Sequence, residues 1–142
     1  MRPPKKILLF SVDEDELSRT GYLLWVKQYN PVLAVDGLAA MKVLSEQWFD
    51  CAMVMASSSP RVAEAVVRAI AGARPDLPIV VFAPPQSGVG SDLPALVCQT
   101  VSVAEMLERL RVVLARKRGP KAAGSNRAEP RGYLTSDLQR VG

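Results

Sequence analysis

The sequence predicts a single α/β domain: a parallel sheet of five strands with helices on both faces, a doubly wound three-layer sandwich. Three observations carry this. Apolar runs of strand length alternate five times with segments of helix-forming character. Two of those runs, CAMVM (51–55) and LPIVVFA (77–83), are apolar at every position or nearly so, as strands covered on both faces must be. The connections are long enough for crossovers of about a dozen residues, which parallel pairing requires.

The elements follow in order. KKILLFSV (5–12) has strand length and stops at DEDE. ELSRTGYLLWVKQY (16–29) places Leu17, Leu23, Leu24 and Val26 near helical spacing, with Asp13 or Asp15 as N-cap and Gly21 weakening the helix by about 1 kcal/mol. PVLAV (31–35) is a short strand. DGLAAMKVLSEQW (36–48) is a helix capped by Asp36, with Leu38, Met41, Val43 and Leu44 for its buried face. CAMVM is followed by a small polar loop, SSSP (57–60), and by an Ala/Val-rich helix, RVAEAVVRAIAGA (61–73). After LPIVVFA, PPQSGVGSDLP (84–94) is too rich in Pro and Gly for a full helix. ALVCQ (95–99) is the last strand. SVAEMLERLRVVLARK (102–117) is an amphipathic helix with Met106, Leu107, Leu110 and Leu114 in register and a capping box from Ser102 to Glu105.

Charge divides the chain. It has 142 residues and a net charge of +4. Residues 116–142 hold seven basic and two acidic groups, which leaves 11 basic and 12 acidic groups before them, a net of −1. The basic character belongs to the tail. Residues 1–118 are expected to form the domain, and 119–142 a basic tail, poor in apolar groups and expected to be disordered. Such a tail is usually solvated, and it is the only part of the chain suited to nucleic acid.

The absence of histidine removes Ser–His and Cys–His catalysis and most zinc and haem sites. Cys51 and Cys98 lie in apolar runs and are expected to be free thiols. No apolar run spans a membrane or forms a signal core, so a cytoplasmic location is expected. Trp25, Trp48 and Tyr29 are expected to be buried on amphipathic faces.

In a parallel sheet of this kind the site lies beyond the carboxyl ends of the strands. There, KKILLFSVDEDEL, VDGLAAMKVL, FDCAMVM, DLPIVVFA and SVAEMLERLRVVLARK, in that order, resemble the receiver domain of two-component response regulators, over about residues 5–117. The resemblance implies a flavodoxin-like (βα)5 fold, sheet order 2-1-3-4-5, here with a shortened or irregular fourth helix. It implies an acidic pair that holds Mg²⁺ after the first strand, carried onto Asp13 and Glu14 with Asp15 beside them. A phosphoacceptor aspartate at the end of the third strand falls on Met55. A hydroxyl after the fourth strand falls on Ala83, and a lysine after the fifth on Gln99.

Three of these four roles are chemically lost. Met has no carboxylate for an acyl phosphate, and its thioether is a poor ligand for a hard cation. Ala83 has no hydroxyl, and Gln99 brings no charge against the roughly −2 of a phosphate. Asp50 belongs at the far end of the strand, and Glu64 inside the next helix. For the acids two readings stand: a remnant site with weak Mg²⁺ binding at Asp13 and Glu14, or a helix cap that complements the dipole, which is the simpler. No other cofactor is implied, and no nucleophile–base pair for an enzyme is present.

The expectation is a degenerate receiver, a pseudo-receiver that is not phosphorylated. It would act in bacterial signalling by contact with a histidine kinase or another regulator, or as a homodimer. Two alternatives remain: a phosphorelay receiver with a non-standard acceptor, and a nucleic-acid adaptor that uses the tail.

Overall fold

A computed structural model describes residues 3–90 and 92–117, the last two by their backbone. The proposed tail, 119–142, lies outside the described residues, and so does the nucleic-acid reading that depends on it. The elements are β1 (Lys6–Phe10), α1 (Glu14–Val26), β2 (Asn30–Ala34), α2 (Gly37–Glu46), β3 (Cys51–Met55), α3 (Pro60–Ala73), β4 (Ile79–Ala83), β5 (Leu96–Gln99) and α4 (Val103–Lys117). All strand pairs are parallel, in the order β2-β1-β3-β4-β5.

The period-2 alternation of the central strands makes two cores. Leu8, Phe10, Ala52, Val54, Val81 and Ala83 face one side, against Ala40 and Leu44 of α2 and Ala63, Val67 and Ile70 of α3. Ile7, Leu9, Met53, Met55, Val80 and Phe82 face the other, against Leu17 and Leu24 of α1 and Leu110, Val113 and Leu114 of α4. β3 and β4 are buried at every position, as their composition requires.

The expected caps form. Asp13 Oδ1 accepts from the N–H groups of Asp15 and Glu16, and Asp36 Oδ1 from Ala39 N–H. Ser102 Oγ accepts from Glu105 N–H, but the carboxylate of Glu105 takes the Thr100 hydroxyl at 2.9 Å. Thr100 Oγ1 in turn accepts from Ser102 N–H, so a buried threonine completes the box from two residues farther back.

Between β4 and β5 there is no helix. Pro84 and Pro85 withhold two donors, and Gln86 and Gly88 adopt positive φ, at 66° and 88°. The segment instead inserts Val89 and Leu93 into the core beside α3, and Gly90 N–H donates to Glu64 Oε2 at 2.8 Å. The domain therefore has four helices among its described residues, where the (βα)5 pattern has five.

α1 ends earlier than its sequence pattern, at Val26. Gln28 turns into the left-handed region (φ 72°), its N–H donates to Trp25 O, and Tyr29 N–H donates to Leu24 O. This is a Schellman end carrying Gln where Gly is usual. Gln28→Gly should raise stability by about 0.5–1 kcal/mol, the left-handed penalty outweighing the entropy of glycine. Urea titration of the two proteins checks this.

The expectation of buried tryptophans fails. Trp25 and Trp48 are exposed, and Tyr29 is half-buried. The buried stripe of α1 is Leu17, Gly21 and Leu24, and Trp25 stands one position, about 100°, off it. Trp48 lies past α2, where its ring stacks 4.5 Å from the Arg74 guanidinium. That guanidinium donates to the carbonyls of Leu44 and Gln47, satisfying the end of α2. Leu38 and Val26 are exposed for the same angular reason; Ala40 and Leu44 form the inner face of α2.

Candidate functional site

Met55, Ala83 and Gln99 end three neighbouring strands. Met55 is paired with Phe82, and Ala83 with Gln99, so the three positions meet at the carboxyl edge of the sheet. Met55 is 7% exposed and packs on the α1/α4 side with Leu17, Phe82 and Cys98. Ala83 is buried in the opposite core, its carbonyl accepting Thr100 N–H at 2.8 Å. Gln99 is exposed.

Asp13, Glu14 and Asp15 do not join them. Phe10 is paired with Val54, so the residue level with Met55 is Ser11, and the three acids lie past the strand, Asp13 as the N-cap of α1 and Glu14 and Asp15 on its exposed first turn. Asp13 spends its carboxylate on two helix N–H groups. Asp50 holds the other end of the sheet, accepting Lys6 N–H at 2.8 Å, and no shift of frame brings it to the site. Among the described residues no three His, Cys, Asp or Glu side chains are placed to hold a metal ion. With a serine, a valine and a thioether at the strand ends, the residues do not fit Mg²⁺, which asks for several oxygen ligands in near-octahedral geometry.

A different group occupies the head of the sheet. Ser11 is fully buried, and its hydroxyl donates to Glu16 Oε1 at 2.7 Å while accepting from Asp13 N–H. Ser57, two residues beyond Met55, donates to Glu16 Oε2 at 2.5 Å. One carboxylate thus ties the loop after β1 to the loop after β3 through two charge-assisted bonds. None of the described Lys or Arg side chains pairs with Glu16.

Sequence reasoning missed this bridge. Its trace was visible: Ser11 is a polar residue directly after four apolar strand residues, and Glu16 stands in the first turn of the helix that follows. Ser59, in the same serine loop, is the N-cap of α3.

Cys51 and Cys98 form no disulfide; both are buried, on strands separated by the intervening β4. Burial raises the pKa of Cys98, with Arg109 opposing and Glu105 adding, and burial likewise raises Tyr29 against the pull of Arg111. An acid whose folded pKa is raised contributes stability below its unfolded pKa and loses it as pH rises. Stability should therefore fall above about pH 9, where the unfolded thiol ionises, and further above about pH 10. Thermal midpoints from pH 7 to 11 check this, and Cys98→Ala should lessen the first part of the fall.

No family model matches the sequence, and no curated protein matches it. Among the described residues no helix is long and apolar enough to cross a membrane. Solved structures do match. The signal receiver domain of an HD domain-containing protein from Pseudomonas fluorescens superposes with a TM-score of 0.69 at 18% identity, over 87% of this chain and 96% of that one. A response regulator receiver domain protein from Clostridium thermocellum gives 0.67 at 14% identity, over 80% and 97%. A response regulator from Thermotoga maritima, in complex with Mg²⁺ and BeF, gives 0.65 at 18% identity, over 77% and 98%. Strand order, strand direction and these superpositions together establish that the chain has the fold of response regulator receiver domains.

Proposed function

We propose that this is a receiver-type signalling domain that takes no phosphate at the end of β3 and works by protein contact. The observation that carries the proposal is Met55. It stands where the fold presents its acceptor, packed among apolar side chains and without a carboxylate. The Ser11–Glu16–Ser57 bridge supports the same reading, because it joins the two loops with an internal charge where a phosphoryl group would have to sit. Ala83 and Gln99 lack the hydroxyl and the cation that would read a phosphate.

On this reading residues 1–118 form the domain and 119–142 are an appended basic tail. The partner is a protein of a signalling pathway, a histidine kinase or another regulator, met in the cytoplasm. No step of catalysis is assigned to the chain.

Treatment with acetyl phosphate and Mg²⁺, followed by intact mass, tests the proposal. The expected result is no gain in mass. A gain of one phosphate overturns it, and its position, at Ser57, Ser58 or Ser59 for example, would identify a non-standard acceptor.

A further inference from the structure

Two exposed surfaces lie outside the strand-end site, and they are complementary. The first is the outer face of α1. Tyr22, Trp25 and Val26 are 68%, 66% and 48% exposed, and the two rings stand 6.3 Å apart, forming an aromatic ridge. The helical period puts Asp15 in line with Tyr22 and Val26, about two turns before the first and three before the second, with Arg19 on one flank.

The second surface is a groove of about 460 Å³ between α2 and α3, almost wholly apolar. Leu38, 86% exposed, and Val62 form its lips, and Met41 and Val66 lie within it. Arg61 lines its mouth, and Lys42 stands one turn beyond Leu38. Neither cation has an ion-pair partner in the described structure.

A helix seated in such a groove is read through side chains at i, i+3 and i+4, the spacing of Tyr22, Trp25 and Val26. An acid about two turns ahead of the first of those anchors matches unpaired cations at the rim. Among the described helices, α1 itself meets both conditions. It cannot reach its own groove, because α1 packs on one face of the sheet and α2 and α3 on the other.

We infer that the occupant is a second copy of this chain, with the α1 ridge of one copy seated in the α2–α3 groove of the next and Asp15 directed toward Lys42 and Arg61. The contact joins two different surfaces, so it is heterologous and propagates head to tail unless the rotation closes a ring. A groove of this size supports a weak, transient association, and salt screens its charged part. The inference stands apart from the phosphorylation reading, and either can fail alone.

Sedimentation velocity of the full chain over a dilution series tests it. The wild type should sediment faster as concentration rises, less so at high salt. Leu38→Glu destroys the groove and leaves the ridge; Trp25→Glu destroys the ridge and leaves the groove. Both positions are exposed; should either protein fail to match the wild-type circular dichroism, Val62→Glu serves as a second groove variant and Tyr22→Glu as a second ridge variant. Each variant alone should remain monomeric. An equimolar mixture of the two should form a dimer that grows no further, because it holds one intact ridge and one intact groove. A wild type that is monomeric at every concentration overturns the inference, as does a variant that associates like the wild type. A mixture that stays monomeric while the wild type associates also overturns it.

Discussion

Met55→Asp, the substitution that restores the missing carboxylate, should destabilise the domain by about 3 kcal/mol and should not confer phosphorylation. Met55 is 7% exposed among Leu17, Phe82 and Cys98. Replacing it forfeits the burial of a large apolar side chain, about 1.5–3 kcal/mol, and adds the desolvation of a carboxyl group. Burial favours the neutral form of that carboxyl, so the loss should be larger at pH 7 than at pH 4. No ligand set awaits it, since Ser11 stands level with position 55, Asp13 caps α1, and Glu14 and Asp15 lie on the exposed first turn of that helix. Urea denaturation at the two pH values, with and without millimolar Mg²⁺, checks the expectation. A variant as stable as the wild type without metal, or one that Mg²⁺ strongly stabilises, would show the pocket to be far more polar than its lining.

Leu110→Ala should cost about 3–4 kcal/mol, within the range for a fully buried leucine that leaves a cavity. Leu110 is 0% exposed and sits in the core that α4 shares with Cys98 and Met55. For a domain near 115 residues this loss lowers the thermal midpoint by roughly 10 °C or more. The substitution also uncovers the thiol beneath α4, so native Cys98 should react with a thiol reagent faster than in the wild type. The two readouts together test whether α4 belongs to the domain, as a boundary near residue 118 requires. A midpoint unchanged within error would mean that the last helix is dispensable.

Much of the architecture was legible in the sequence because it follows from local pattern. The doubly apolar runs 51–55 and 77–83 could only be central strands, and Asp13, Asp36 and Ser102 sit where helices need acceptors. Pro84, Pro85 and the glycines after them forbade a regular fourth helix. Angular position was harder to read. Leu38, Trp25 and Val26 are apolar and helical, yet which of them face inward depends on a phase set by docking, and Ala40, Gly21 and Leu24 won. Gly21 shows why: a Cβ there would stand 2.8 Å from Leu33 Cδ2, so the helix approaches β2 closely at that point.

The same division holds at the site. The sequence alone determined which groups stand at positions 55, 83 and 99: a thioether, a methyl and an uncharged amide, with no carboxylate, hydroxyl or cation among them. Only the tertiary structure decided what stands there instead. Strand register moved Asp13, Glu14 and Asp15 past the strand end and set Ser11 beside Met55. It then brought Ser57 within 2.5 Å of Glu16, across 41 residues of chain. Residue type is carried by each position in turn, whereas pairing between distant positions arises only when the strands that carry them lie side by side.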